Sequence, residues 1–165
     1  MSKVITFSQK FPSYHPRKGE STLFIEKIYA GLADIIPDFK IPNNANDFWD
    51  WHEYYSAVPK YHTIRAGHRW KEGDWFSPRI WSGRPYNSKQ IILAPDIQLK
   101  KVWDFDISGE EGKTYIDGRS LTDRNLYIHE IANNDGLEVI DFKNWFKHPK
   151  TFSGQILCWH EKINY

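Results

Sequence analysis

Apolar residues recur along this chain in two rhythms, and the change between them divides it into elements. Ile5-Thr6-Phe7-Ser8-Gln9 alternates at the period of a strand, and Pro12, Pro16 and Gly19 then break the pattern into a turn-rich loop over Phe11–Gly19. Phe24, Ile25, Ile28 and Leu32 recur at helical spacing behind Ser21 or Thr22, either of which can cap a first helix. After Pro37, Pro42 and two asparagines, Asn46 or Asp47 can cap an aromatic-rich helix from Phe48 to about Tyr55, which Pro59 closes.

The second half reads mainly as strands. Trp75–Trp81, Gln90–Ala94 and Leu99–Ile107 carry the pattern, Tyr115-Ile116 adds a short strand ending at Asp117-Gly118, and Phe152–Trp159 suits a closing strand. Two short helices fall between: Leu126–Ala132, stopping at Asn133-Asn134-Asp135-Gly136, and a stretch carrying Val139, Phe142, Trp145 and Phe146. Mostly antiparallel strands with a few helices define an α+β class, and short strands with many turns favour a small barrel, because closure removes exposed edges. At 165 residues the whole chain, 1–165, fits a single domain able to bury a core without metal or disulfide staples.

Composition narrows the setting. The single cysteine, Cys158, excludes an internal disulfide, and no disulfide-linked partner is expected. Its spacing to His160 puts thiol and imidazole on one strand face, but apolar neighbours favour a buried, inert thiol. Neither a signal peptide nor a run of some twenty apolar residues is visible, so a cytoplasmic protein with no membrane partner is expected. The 22 basic and 21 acidic side chains nearly cancel, which excludes the broad basic footprint of a general nucleic-acid binder; an anionic partner must be met locally. Aromatic residues make up 16% of the chain, enough either for a dense core or for a surface that stacks bases.

The segment richest in chemistry runs from Pro59 to Asp74. It contains Lys60, His62, Arg65, His68, Arg69 and Lys71, with Gly67 and Gly73 as turn residues and Tyr61 and Trp70 as aromatics able to stack on a base. Such a turn can present donors to a phosphate or a carbonyl, although a solvated basic loop has the same composition. Arg79, Trp81, Arg84, Tyr86 and Lys89 interleave cations and aromatics just downstream, as a single-stranded RNA groove or as a strand and hairpin with a core tryptophan. Amide hydrolysis needs a nucleophile, a base and a positive group for the oxyanion; Thr63, Lys60 or Asp135, and Arg65 could supply them. Equally, Thr63 could be a plain strand residue, Arg65 could pair with Glu26, and Asp135-Gly136 could merely end a helix.

Lys60-Tyr61-His62-Thr63-Ile64-Arg65, followed by Gly73-Asp74, resembles the KxxTIR…GD signature of ASCH domains, a branch of the PUA-like β-barrels. The opening strand and the helix ending near Gly31 are also similar to that family. The resemblance implies a PUA-like barrel with surrounding helices that handles a nucleoside or single-stranded RNA. Some members remove the acetyl group from N4-acetylcytidine, others are ribonucleases, and others are presumed RNA binders. For the amidohydrolases the implicated residues carry over to Lys60, Thr63 and Asp135, the last standing where the family has glutamate. Arg65, Arg69, Lys71, Tyr61, Trp70, Arg79 and Arg84 are then the candidates for ligand or RNA contact.

No cofactor or metal is expected. The histidines make neither a His-x-Glu…Cys-x-x-Cys nor a His-Glu-x-x-His pattern. Gly109-Glu110-Glu111-Gly112-Lys113-Thr114 ends like a phosphate-binding loop, but its glycines are too close and its glutamates would repel phosphate.

Overall fold

The alternating segments of the sequence form two sheets in a computed structural model that describes residues 1–108, 112–147 and 151–165. In chain order the elements are β1 (Lys3–Thr6), α1 (Phe24–Ile35), α2 (Trp51–Ser56), β2 (His62–Ala66), β3 (Trp75–Trp81), β4 (Gln90–Ile92), β5 (Ile97–Gln98), β6 (Lys101–Ser108), β7 (Lys113–Ile116), β8 (Arg119–Ser120), α3 (Ile128–Asn134), α4 (Val139–Trp145) and β9 (Phe152–Cys158). The class is α+β, as the patterning predicts. No described helix is long and apolar enough to cross a membrane.

One sheet has the order β1-β3-β4, with β5 also on β3; the other has the order β2-β9-β6-β7-β8. The β1–β3 pairing is parallel and the remaining pairings are antiparallel. The expected closed barrel is not what the backbone ladders form: among the described residues no ladder joins the two sheets. Where β1 and β2 come together, a side chain bridges instead. The Arg65 guanidinium donates to the Thr6 carbonyl at 2.9 Å, and Phe7 packs edge-on against Trp159 at 6.5 Å. One continuous core, from Ile5 to Trp159, fills the space between sheets and helices.

Local chemistry explains most departures from the expected boundaries. Asn43–Phe48 forms a 3₁₀ segment, so the aromatic helix starts later, at Trp51, and its cap is Asp50, whose side chain accepts from the His52 N–H at 2.8 Å. The first helix is not capped by Ser21 or Thr22: its N-cap is Leu23, at φ 55 and without a side-chain cap bond, while the Thr22 hydroxyl donates to the Ser8 carbonyl at 2.7 Å and accepts from the Phe24 N–H at 3.3 Å. Residues 60–74, expected as a polar loop, contain strand β2, because five residues of it pair in register with β9. Three residues of the set-aside phosphate-loop-like segment, 109–111, lie outside the described residues.

Candidate functional site

Strand β2 enters the second sheet directly behind Lys60, and the fold buries that lysine almost completely, at 1% exposure. Helix α1 presses against the same point: a Cβ at Gly31 would stand 2.2 Å from the Lys60 carbonyl oxygen, so only glycine allows this approach. The Lys60 N–H donates to the Lys27 carbonyl at 2.9 Å and the Tyr61 N–H to the Asn134 carbonyl at 2.8 Å, which fix the segment between α1 and the end of α3.

This placement carries the Lys60 ammonium to Asp135 at the C-terminus of α3. Lys60 Nζ donates to Asp135 Oδ1 and to the Asp135 carbonyl, each at 2.5 Å, and lies 4.3 Å from the centre of the Phe24 ring. Burial draws the lysine pKa down to about 8, with Asp135 only partly opposing the shift. Burial would by itself raise the Asp135 carboxyl, but Lys60 and His62 together hold it below the ordinary carboxylate range.

His62 belongs to the same cluster, although the sequence reading did not single it out. Tyr165 Oη accepts from Asn134 Nδ2 at 2.8 Å, leaving its own proton for His62 Nε2 at 2.8 Å. The imidazole proton then sits on Nδ1, 3.5 Å from Asp135 Oδ1 and without a well-formed hydrogen bond among the described residues. Burial pushes the His62 pKa below its usual value, in keeping with a neutral ring. The available signal was spacing: His62 lies two residues from Lys60, the period at which strand side chains share a face.

Thr63 and Arg65 lie on the opposite face of β2 from His62. Thr63 is buried and opposite Leu157, and no side-chain hydrogen bond joins it to Lys60 or Asp135. Among the described residues Arg65 makes one hydrogen bond, to the Thr6 carbonyl, stacks over Phe7 at 5.1 Å, and has its Nε buried without a partner. The expected pairing with Glu26 is absent, because Glu26 accepts from the Asp50 N–H at 2.9 Å instead. Burial lowers the Arg65 pKa to about 10, with Asp135 opposing the shift and Arg69 adding to it. Two cations, Lys60 and Arg65, thus share the neighbourhood of one carboxylate.

The remaining candidates separate. Trp70 is 3% exposed and packs edge-on against Phe76, so it is core and cannot stack on a base. Tyr61 is half-buried, bonded through its hydroxyl to Asp34, and set against His160. Arg79 is half-buried, held within its own sheet by Ser77 and Gln90 at 3.1 Å each. Arg69, Lys71 and Arg84 are exposed. Near Arg84, Tyr86 is 87% exposed and packs against Trp81 at 5.3 Å, with Lys89 exposed on the same hairpin. Cys158 is buried and donates to the His160 carbonyl, and burial pushes its thiol up to about 11.

A cleft of about 220 Å³ opens beside Lys60, lined by Leu23, Lys27, Val58, Asn133 and Gly136 among others. Lys27, which lines this cleft, donates to the Gly136 carbonyl at 2.7 Å, and Gly136 packs closely against both Lys27 and Lys60. Among the described residues no group of three or more His, Cys, Asp or Glu is arranged to hold a metal ion. Comparisons with protein-family models, with curated proteins and with solved structures returned no match.

Proposed function

We propose that this chain is a PUA-like protein of the ASCH type that handles a modified nucleoside or RNA, and that it hydrolyses the acyl amide of an N4-acylated cytidine. The observation that carries this reading is the buried contact between Lys60 and Asp135, on a KxxTIR segment whose Arg65 keeps an unpartnered N–H. A lysine brought to about 8 exchanges its proton near neutral pH, as amide hydrolysis requires. The unpaired Arg65 Nε–H can bond the oxygen that becomes negative when the carbonyl is attacked. Thr63, on Arg65's face, attacks that carbon once ligand binding brings Lys60 within its reach; unprotonated Lys60 takes up the hydroxyl proton and hands it to the departing amine. Water then splits the acyl–threonine bond, releasing the carboxylic acid and restoring the hydroxyl. The bridge across the sheet edges by Arg65 and Thr6 also suits a PUA-like barrel.

The cleft is smaller than the ~300–1,000 Å³ usual for ligand sites, so a nucleoside enters by parting Lys27 from Gly136. Incubating the protein with N4-acetylcytidine and following cytidine by chromatography tests the reading. Turnover is expected for wild type and lost in a folded Lys60→Ala variant; full activity in that variant would refute the mechanism.

A second reading, an RNA-binding module without amide hydrolysis, draws on the exposed hairpin of Arg84, Tyr86 and Lys89. It predicts oligoribonucleotide affinity that falls steeply with salt and drops in Arg84→Ala. Affinity indifferent to salt would count against it.

A further inference from the structure

At the end of β2 away from Lys60, a different set of side chains converges. Gly154 of β9 faces Ala66, and a Cβ there would lie 2.1 Å from the Arg65 carbonyl oxygen; the glycine therefore lets β2 close on β9. The turn that follows, with Gly67 at φ +83 and its N–H donating to the Ser153 carbonyl at 3.3 Å, lays His68 over the start of β9. His68 Nε2 stands 2.9 Å from Ser153 Oγ, and His68 Nδ1 stands 2.8 Å from Asp104 Oδ1 on β6.

The polarity of this chain is set by its ends. The Asp104 carboxylate only accepts, so the ring proton belongs on Nδ1 and the Nε2 lone pair faces the serine hydroxyl. Asp104 is itself held on both sides: its N–H donates to Asp117 Oδ1 at 2.8 Å, and Gln155 Nε2 approaches its Oδ1 at 3.5 Å. Ser153 and Asp104 sit on adjacent strands of the larger sheet, which gives the hydroxyl and the carboxylate a rigid spacing. His68 and Asp104 keep 43% and 52% of their side chains exposed, so the group is open to solutes.

We propose that Ser153, His68 and Asp104 form a second catalytic centre, a serine-hydrolase triad acting on carboxylic esters and independent of the amide chemistry assigned to Lys60. Ser153 Oγ bonds to the ester carbonyl carbon while its proton passes to His68 Nε2. The C–O bond to the alcohol breaks, and the alcohol leaves with that proton. Water, deprotonated by the same nitrogen, then splits the acyl–Oγ bond, releasing the carboxylic acid and restoring the serine hydroxyl. Asp104 is the positioning residue that fixes the tautomer. The open surroundings favour small, activated esters over any substrate that must be enclosed.

The test uses the full chain with a fluorophosphonate probe and p-nitrophenyl acetate, the adduct being located by peptide mass mapping. One phosphonyl adduct on Ser153 is expected. Labelling and ester cleavage should vanish in Ser153→Ala and fall about 100-fold or more in His68→Gln, as the loss of a general base requires, with the urea midpoint confirming that each variant folds. Absence of an adduct on Ser153, or labelling at the wild-type rate in His68→Gln, would reduce the group to a clasp that holds the β2–β3 turn. Neither readout involves an amide, so this outcome is separate from that of the cytidine assay.

Discussion

Replacing Asp135 by asparagine keeps nearly the same shape and deletes the carboxylate that, among the described residues, alone contacts the buried Lys60 ammonium. Breaking a buried ion pair from one side costs about 3–5 kcal/mol. The titration part can be worked separately. Without Asp135 the lysine pKa drops further below about 8, because the carboxylate is what opposes the effect of burial. At pH 7 wild type folds with Lys60 largely protonated and the variant with it neutral, so the variant loses the ~1.4 kcal/mol that holding the proton one unit below a pKa of about 8 contributes to wild type. This part of the deficit carries a pH signature. As pH rises toward 8, wild type still holds the proton in its folded state while the variant does not. The variant's deficit therefore shrinks by up to about 1.4 kcal/mol per unit and flattens above about pH 8, where both folded forms have an unprotonated Lys60. Urea titrations of both proteins between pH 6 and 9, read as midpoint times slope, measure this directly. A deficit below about 1 kcal/mol at pH 6, or one that does not change with pH, would show that Lys60 is not buried as a charge.

Further outcomes follow from burial. Trp70→Ala should destabilise the fold by about 3–5 kcal/mol while leaving any affinity of the folded protein for oligoribonucleotides unchanged; a selective loss of affinity would return Trp70 to the binding surface. Cys158, with its thiol raised to about 11, should resist iodoacetamide at pH 8 in the native protein and react promptly in urea, and equal rates in both would contradict its burial. Asp50→Ala, which removes the cap of α2, should cost about 1 kcal/mol in thermal or chemical denaturation, and no change would mean that α2 is held by its tryptophan and tyrosine contacts alone.

Much of this architecture was legible in the sequence because it depends on local rules. Strand β3 matches the Trp75–Trp81 alternation residue for residue, and α1 follows its apolar stripe behind Thr22. Strand β2 was hidden, since His62, Thr63 and Arg65 read as polar, and only the distant β9 gives them partners and a buried environment. The site divides in the same way. Lys60 and Asp135 could be linked through a motif, whereas His62 entered their cluster through Tyr165 and Asn134, contacts that depend on how the chain folds back. The triad of Ser153, His68 and Asp104 has no spacing signature at all, because three separate segments supply one residue each. Trp70 misled in the opposite direction: a tryptophan amid basic residues suggests a stacking surface, but its ring is buried against Phe76.

The position of β9 between β2 and β6 has a consequence for biosynthesis. Ile64 and Ile156 are partners in the finished sheet, so every β2 ladder bond waits for a segment made long after β2 itself has left the ribosome. Until then β2 and the inner edge of β6 are open strands, able to pair with the wrong neighbour. Sheet assembly that depends on such distant segments is slow. Translation stalled before Phe152 should leave a protease-sensitive, aggregation-prone intermediate, and completion of β9 should convert it to the resistant form.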